Sequence, residues 1–237
     1  MTSNSNYKDP KRKVGSQSEV PKIKYENNKI IINGYQNFTI NKKNKNIDFL
    51  KKKEKFEYIN RLLHDLNSNH NCTSLVDIGC SAGLSSFIAY NNKFTKIFSL
   101  DHDPEYIQTI KLIKESCQIP SIQESVFSFG DKLNQTFDVV FCGALIHWIF
   151  SLTANFRNFD DIISYLYSIT NKILVIEWVH PTDKAIKILD HLNINKKDGD
   201  EEYNTINFEN ALEKKFSMIS KVNADCETRT IYCSRKI

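Results

Sequence analysis

One stretch constrains this chain more than any other: Leu75-Val76-Asp77-Ile78-Gly79-Cys80-Ser81-Ala82-Gly83-Leu84-Ser85-Ser86. A short apolar run, Leu75 to Ile78, gives way to small residues punctuated by glycine, and a helix-like run begins at Leu84. That order reads as a buried strand, a tight turn and a helix start. Glycine lets the backbone come close to a ligand, and the free N–H groups of a helix N-terminus favour polar or anionic groups. The arrangement suits a nucleotide-like molecule.

The dinucleotide fingerprint G-x-G-x-x-G is absent. The loop reads Asp-Ile-Gly-Cys-Ser-Ala-Gly, which resembles the first motif of class I methyltransferases that use S-adenosylmethionine (SAM), D/E-x-G-x-G-x-G, with Ser81 where the middle glycine is commoner. The run Lys96-Ile97-Phe98-Ser99-Leu100 is a short strand ending in Asp101, 24 positions after Asp77. A carboxylate there accepts two hydroxyl hydrogen bonds and suits the vicinal diol of a ribose. The plain alternative is a helix N-cap before Pro104, a role that Asp103 fills better. The resemblance implies SAM as cofactor and S-adenosylhomocysteine as product. It places Asp77, Gly79, Cys80, Ser81, Gly83, Asp101 and His102 on the cofactor, with Ser125 and Val126 flanking the adenine and Cys142 and Gly143 near the methyl donor.

The remaining elements alternate. A helical period spans Ile47 to Leu66; strand 75–78 precedes helix 84–91, and strand 96–100 precedes helix 104–117. A weaker strand lies near 121–123, then come strand 137–142, helix 159–169, strand 173–178, a helix at 183–192 and another near 206–216. Two β-like segments, 217–223 and 228–234, close the chain without a helix between them and must therefore be antiparallel. The expected fold is α/β: a seven-stranded, mostly parallel, doubly wound sheet with an antiparallel C-terminal strand and helices on both faces. Residues 1–46 read as a basic, partly disordered arm containing a hairpin around Asn33-Gly34, and residues 47–237 as the methyltransferase-like domain. Such an arm either covers the cofactor or substrate or merely packs.

Charge follows the same division. Residues 1–55 carry a net charge of +9 and the remainder −5, with 27 Lys against 5 Arg overall. A basic arm either steers a polyanion or is a solvated tail; its shortage of Arg and aromatics favours the tail. The six cysteines form no C-x-x-C pair, the start is polar, and no apolar run is long enough to span a bilayer, so reduced thiols in a cytoplasmic protein are expected.

Chemistry is expected at the carboxyl ends of the strands. After strand 137–142 come Cys142-Gly143-Ala144-Leu145-Ile146-His147-Trp148, without the Asn/Asp-Pro-Pro-aromatic motif of nucleobase methyltransferases. The ligating Asp of metal-dependent catechol enzymes and the Lys-Asp-Lys-Glu tetrad of many RNA 2′-O-methyltransferases are also missing. His147 is the candidate base, since deprotonating an alcohol calls for a group titrating near neutrality; the alternative is a histidine packing beside Trp148. Glu177, Trp178 and His180 gather after the next strand. Glu177 is a second catalytic candidate, and Trp148, Arg157, Trp178 and His180 are candidate acceptor contacts. A divalent metal on His147, Glu177 and His180 is conceivable but not favoured. The stretches Ala144 to Trp148 and Ile176 to Val179 look similar to methyltransferase domains that modify sugar hydroxyls in virus or microbial glycans. The expected activity is therefore SAM-dependent methylation of a hydroxyl on a sugar, sugar-nucleotide or glycan. The alternatives are an RNA methyltransferase that uses the arm and a catalytically silent methyltransferase-like partner subunit.

Overall fold

The computed structural model describes residues 20–128, 130–152, 155–156, 158–187, 196–197 and 201–237. A seven-stranded sheet forms the centre, with spatial order β12(Phe216–Asn223), β13(Arg229–Lys236), β9(Thr170–Val179), β8(Phe137–Cys142), β5(Ser74–Ile78), β6(Lys96–Asp101), β7(Ile122–Val126). Strands β7, β6, β5, β8 and β9 pair in parallel, while β13 lies antiparallel to both β9 and β12. The expected sheet is present, including its antiparallel C-terminal strand.

Two apolar layers cover the sheet. One contains α1(Lys53–Ser68), α2(Leu84–Asn91) and α3(Pro104–Cys117), which bury Ile59, Leu63, Phe87, Ile88, Ile110 and Ile113. The other contains α4(Ile146–Leu152), α5(Phe159–Ile169) and α7(Thr205–Glu213). Its centre is an aromatic sandwich: the Trp178 indole stacks on Tyr203 (4.5 Å) and Phe208 (4.3 Å) and donates to the Thr205 hydroxyl (3.1 Å). The short α6(Lys184–Lys187) occupies part of the expected 183–192 helix, whose residues 188–192 lie outside the described residues. The two-residue strands β10(Lys196–Lys197) and β11(Glu201–Glu202) pair with each other. No helix among the described residues is long and apolar enough to cross a membrane.

The N-terminal region departs from expectation. The hairpin across Asn33-Gly34 is part of a four-stranded antiparallel meander, β1(Lys22–Glu26), β2(Lys29–Asn33), β3(Phe38–Asn41) and β4(Ile47–Phe49). The helical reading from Ile47 therefore needs correction: Ile47 and Phe49 alternate as strand residues opposite Ile40 and Phe38, and α1 starts only at Lys53. Lys52, at φ 53°, takes the left-handed conformation that separates the two elements. The boundary drawn at 46/47 falls between two paired strands. Ile30, Ile32, Phe38 and Ile40 are fully buried in the same layer as α1 and α2, so the meander shares the domain's core.

Phe208→Ala removes one face of the aromatic sandwich and leaves a cavity. It is expected to lower stability by about 3–5 kcal/mol in guanidinium unfolding, whereas exposed Ile206→Ala changes it by less than about 0.5 kcal/mol.

Candidate active site

The site is built where β5, β8 and β9 end. The turn after β5 is forced by three left-handed residues, Gly79 (φ 74°), Ser81 (φ 52°) and Gly83 (φ 82°). A Cβ on Gly79 would meet the Leu145 side chain at 3.0 Å, and one on Gly83 would meet Ile110 at 2.8 Å, so both glycines are needed for space as well as for φ. The N–H groups of Gly79 and Cys80 donate to the Leu100 carbonyl (2.7 and 3.0 Å), which ties the turn to β6.

A cleft of about 430 Å³ opens here. Asp77, Gly79, Ser85, Gly143 and Ala144 line it together with apolar Phe56 and Ile59 and polar Tyr35, Gln36, Lys52, Lys55 and Glu177. The Asp77 carboxyl is buried and accepts from the Ser86 hydroxyl at 2.8 Å. Burial pushes its pKa up to about 7, the neighbouring Asp101 adds to the rise, and Ser86 opposes it.

Four charged side chains form a chain of ion pairs at the end of β9. Lys55 Nζ lies 2.6 Å from Glu177 Oε2, both groups wholly inside the protein, and Arg229 approaches Glu177 Oε1 (3.4 Å) and Asp183 Oδ2 (3.2 Å). Burial alone would raise the Glu177 pKa, but the two cations outweigh it and hold the carboxyl below its ordinary range. Burial alone would lower the Lys55 pKa; Glu177 and its neighbours raise it instead. Tyr35 joins the group, its hydroxyl 3.4 Å from Arg229.

A second group lies at the ends of β6 and β7, across β5 from the cleft. The Ser81 N–H donates to Asp101 Oδ2 (2.8 Å) and the Asp103 N–H to Asp101 Oδ1 (3.0 Å). His102 Nδ1 is 3.1 Å from Oδ1. The Phe127 N–H donates to the Asp101 carbonyl (2.8 Å), which places Ser125 and exposed Val126 beside Asp101. Asp103, as the residue types imply, caps α3 by accepting from the Glu105 N–H.

Of the expected cofactor contacts, Asp77, Gly79 and Gly143 thus line the cleft, and Ser81, Asp101, His102, Ser125 and Val126 share the second group. Cys80 and Cys142 have thiols buried in the core, raised by desolvation, and contribute only backbone.

The expected chemistry residues fare differently. His147 is 0% exposed and does not line the cleft; neither ring nitrogen has a partner among the described residues. Burial pushes its pKa down to about 3, with Arg229 adding to the fall against Asp183, so the ring stays neutral and sequestered and is not a base poised near neutrality. Glu177 is a paired anion, its two oxygens shared between Lys55 and Arg229. Trp178 belongs to the aromatic sandwich and Trp148 is buried, so neither presents a face to the cleft. His180 is exposed, bonded to its own turn through Thr182 (2.8 Å), and apart from the cleft. Arg157 lies outside the described residues. Among the described residues no group of three His, Cys, Asp or Glu side chains is placed to hold a metal ion.

Tyr35, Gln36, Lys52, Lys55 and Arg229 carried no motif. The nearest legible hint was the Asn33-Gly34 turn, with Tyr35 to Ile40 read as the segment that follows it in a hairpin.

No protein-family model matches the sequence, and no curated protein matches it. The fold does have solved counterparts. Geranyl diphosphate methyltransferase in complex with SAM superposes with a TM-score of 0.59 at 12% identity, over 80% of this chain and 88% of that one. Magnesium protoporphyrin IX methyltransferase from Synechocystis PCC 6803 with bound SAH gives 0.54 at 14% identity, over 76% and 83%. The N-methyltransferase NodS from Bradyrhizobium japonicum WM9 in complex with SAH gives 0.55 at 12% identity, over 76% and 86%. The fold of this chain is that of the class I SAM-dependent methyltransferases.

Two outcomes follow from the buried charges. The raised Asp77 pKa means that the native state binds a proton which the unfolded chain has released between about pH 4 and 7, so this group's contribution falls as pH rises across that window. Asp77→Asn is therefore expected to unfold at higher urea than the parent at pH 8, with the gain shrinking toward pH 4.5; a gain independent of pH would contradict the assignment. Glu177→Gln strands Lys55 inside the protein without its counter-charge and is expected to cost about 3–5 kcal/mol in the same assay.

Proposed function

We propose that this protein is a SAM-dependent methyltransferase acting on a hydroxyl of a small polar acceptor, a sugar or sugar-nucleotide being the first choice. The observation that carries the donor half is the charge pattern of the cleft at the glycine turn. SAM presents an ammonium, a carboxylate, a sulfonium and a vicinal diol. The cleft offers the Asp77 carboxyl and the Cβ-free Gly79 and Gly143, with the Lys52 ammonium also in its lining; Asp101 ends the neighbouring strand, with a lone pair of Oδ2 left for a hydroxyl. These residues match the molecule in charge.

When bound, SAM supplies an electrophilic methyl group on sulfur. The chain's own part is to orient the acceptor, exclude water and stabilise the developing charges, so positioning carries much of the rate. The Tyr35 hydroxyl and the Lys52 ammonium in the cleft lining support a polar acceptor over an apolar one. S-adenosylhomocysteine would leave as a neutral thioether and the hydroxyl proton would pass to solvent at the open cleft, so with His147 neutral and enclosed the reading does not depend on an imidazole base.

The test begins with calorimetric binding of S-adenosylhomocysteine. Asp101→Ala is expected to weaken it by tenfold or more, roughly the loss of one charge-assisted hydrogen bond. Transfer of labelled methyl from SAM into a cell extract, fractionated into glycan, small-molecule, RNA and protein pools, then reads the acceptor. Label in the glycan or sugar-nucleotide pool supports the proposal. Nuclease-sensitive label overturns the acceptor while keeping the donor, and absence of donor binding overturns the whole.

A further inference from the structure

Helix α2 begins at Leu84, and the residue before it, Gly83, has no side chain with which to cap it. The first N–H groups of a helix have no partner within the helix, and every residue from Leu84 to Ala89 is buried, so solvent does not supply one. The partner comes from 48 residues upstream. The Leu84 N–H donates to Gln36 Oε1 at 3.0 Å, and Gln36 Nε2 donates to the Cys80 carbonyl at 3.2 Å. That carbonyl also accepts from the Gly83 N–H (2.9 Å) across the turn. One carboxamide thus closes the glycine turn from outside, meeting an orphan donor and an acceptor at once. A carboxylate has no donor for Cys80 and an ammonium no acceptor for Leu84, so an amide is the side-chain type that does both here.

The amide is held in place by packing. Phe38, two residues later, meets Phe87 of α2 with ring centroids 6.3 Å apart. Asn91 of α2 donates to the Lys45 carbonyl (3.0 Å), and Asn37 donates to the Gly34 carbonyl (2.7 Å), closing the bend that carries Gln36. The turn needs such support because Ser81 stands in the left-handed region, a conformation that costs a non-glycine residue about 1–2 kcal/mol.

We infer that Gln36 is a positioning residue for the donor site: it caps α2 in place of a local residue, holds the Gly79–Gly83 turn in its binding shape, and thereby couples docking of the N-terminal meander to donor binding. The donor half of this inference rests on the function proposed above; the clamp on the turn does not. Coupling is reciprocal, so a ligand on the turn must protect the meander as much as the meander strengthens the ligand.

Hydrogen exchange read by mass spectrometry on the full chain, with and without S-adenosylhomocysteine, tests both halves. The variants are Gln36→Ala, the shorter amide Gln36→Asn, and Lys24→Ala as an exposed control on the same meander. Without ligand, exchange in 79–87 is expected to rise about tenfold in both Gln36 variants and to stay unchanged in the control and in 159–169, the loss of about one net hydrogen bond. With ligand, 30–40 becomes protected in the parent and not in Gln36→Ala, whose affinity falls about tenfold. Unchanged exchange in 79–87 in both variants overturns the clamp. Unchanged affinity, or equal protection of 30–40 in parent and variant, overturns the coupling. Failure of the parent to bind the ligand removes the donor reading and the coupling with it, while the ligand-free exchange still decides the clamp.

Discussion

A lysine ammonium taken out of water must have an anion beside it, and much of this structure is arranged around that requirement. Lys55 enters the core from α1 and meets Glu177 at the end of β9. Glu177 then needs no further proton, because Arg229 from β13 shares it and is itself held by Asp183. Through Arg229 the network reaches Tyr35 on the meander. Elements distant in sequence are thus fixed to one another at the point where the cleft opens. An ion pair of this kind adds little net stability, since desolvation offsets most of the attraction, but removing either partner is expensive. Its effect is to specify one arrangement of α1, β9, β13 and the meander.

The glycine turn is held in a complementary way. Ser81 in a left-handed conformation does not persist by its own preference. Its N–H is taken by Asp101 from one side, the turn's carbonyl and the following helix are taken by Gln36 from the other, and the preceding N–H groups are anchored on Leu100. The same contacts that satisfy buried polar groups therefore define the surface offered to a ligand. Asp77 is the exception left under tension, a carboxyl in the cleft lining whose burial disfavours its charge.

Reading the residues in order located the sheet strands and the major helices well, because each announces itself over a few positions: an apolar run before glycine at 75–79, Asp-Pro opening α3 at 103–104, the paired β segments at the end. It misjudged short elements. β1 is mostly exposed and polar, and β4 spans three residues, so neither has the length for a period to show. Nor does the sequence announce which side chains at the strand ends are buried. Trp178, Glu177 and His147 stand where ligand contacts gather in such folds, yet the first stacks in the core, the second is consumed by two cations and the third is enclosed.

What the sequence by itself determined is local: the strand–glycine turn–helix unit, the acidic residue at the end of the next strand, the order of alternating elements and hence the sheet. Those depend on backbone sterics and on apolar spacing within a window of a few residues. What only the tertiary structure decided is which side chains share the cleft. Lys55, Arg229, Tyr35 and Gln36 lie between 44 and 194 positions from the hydrogen-bond and ion-pair partners they meet there. No local pattern marks them, because a side chain's pKa, exposure and partner are set by whatever the fold brings against it.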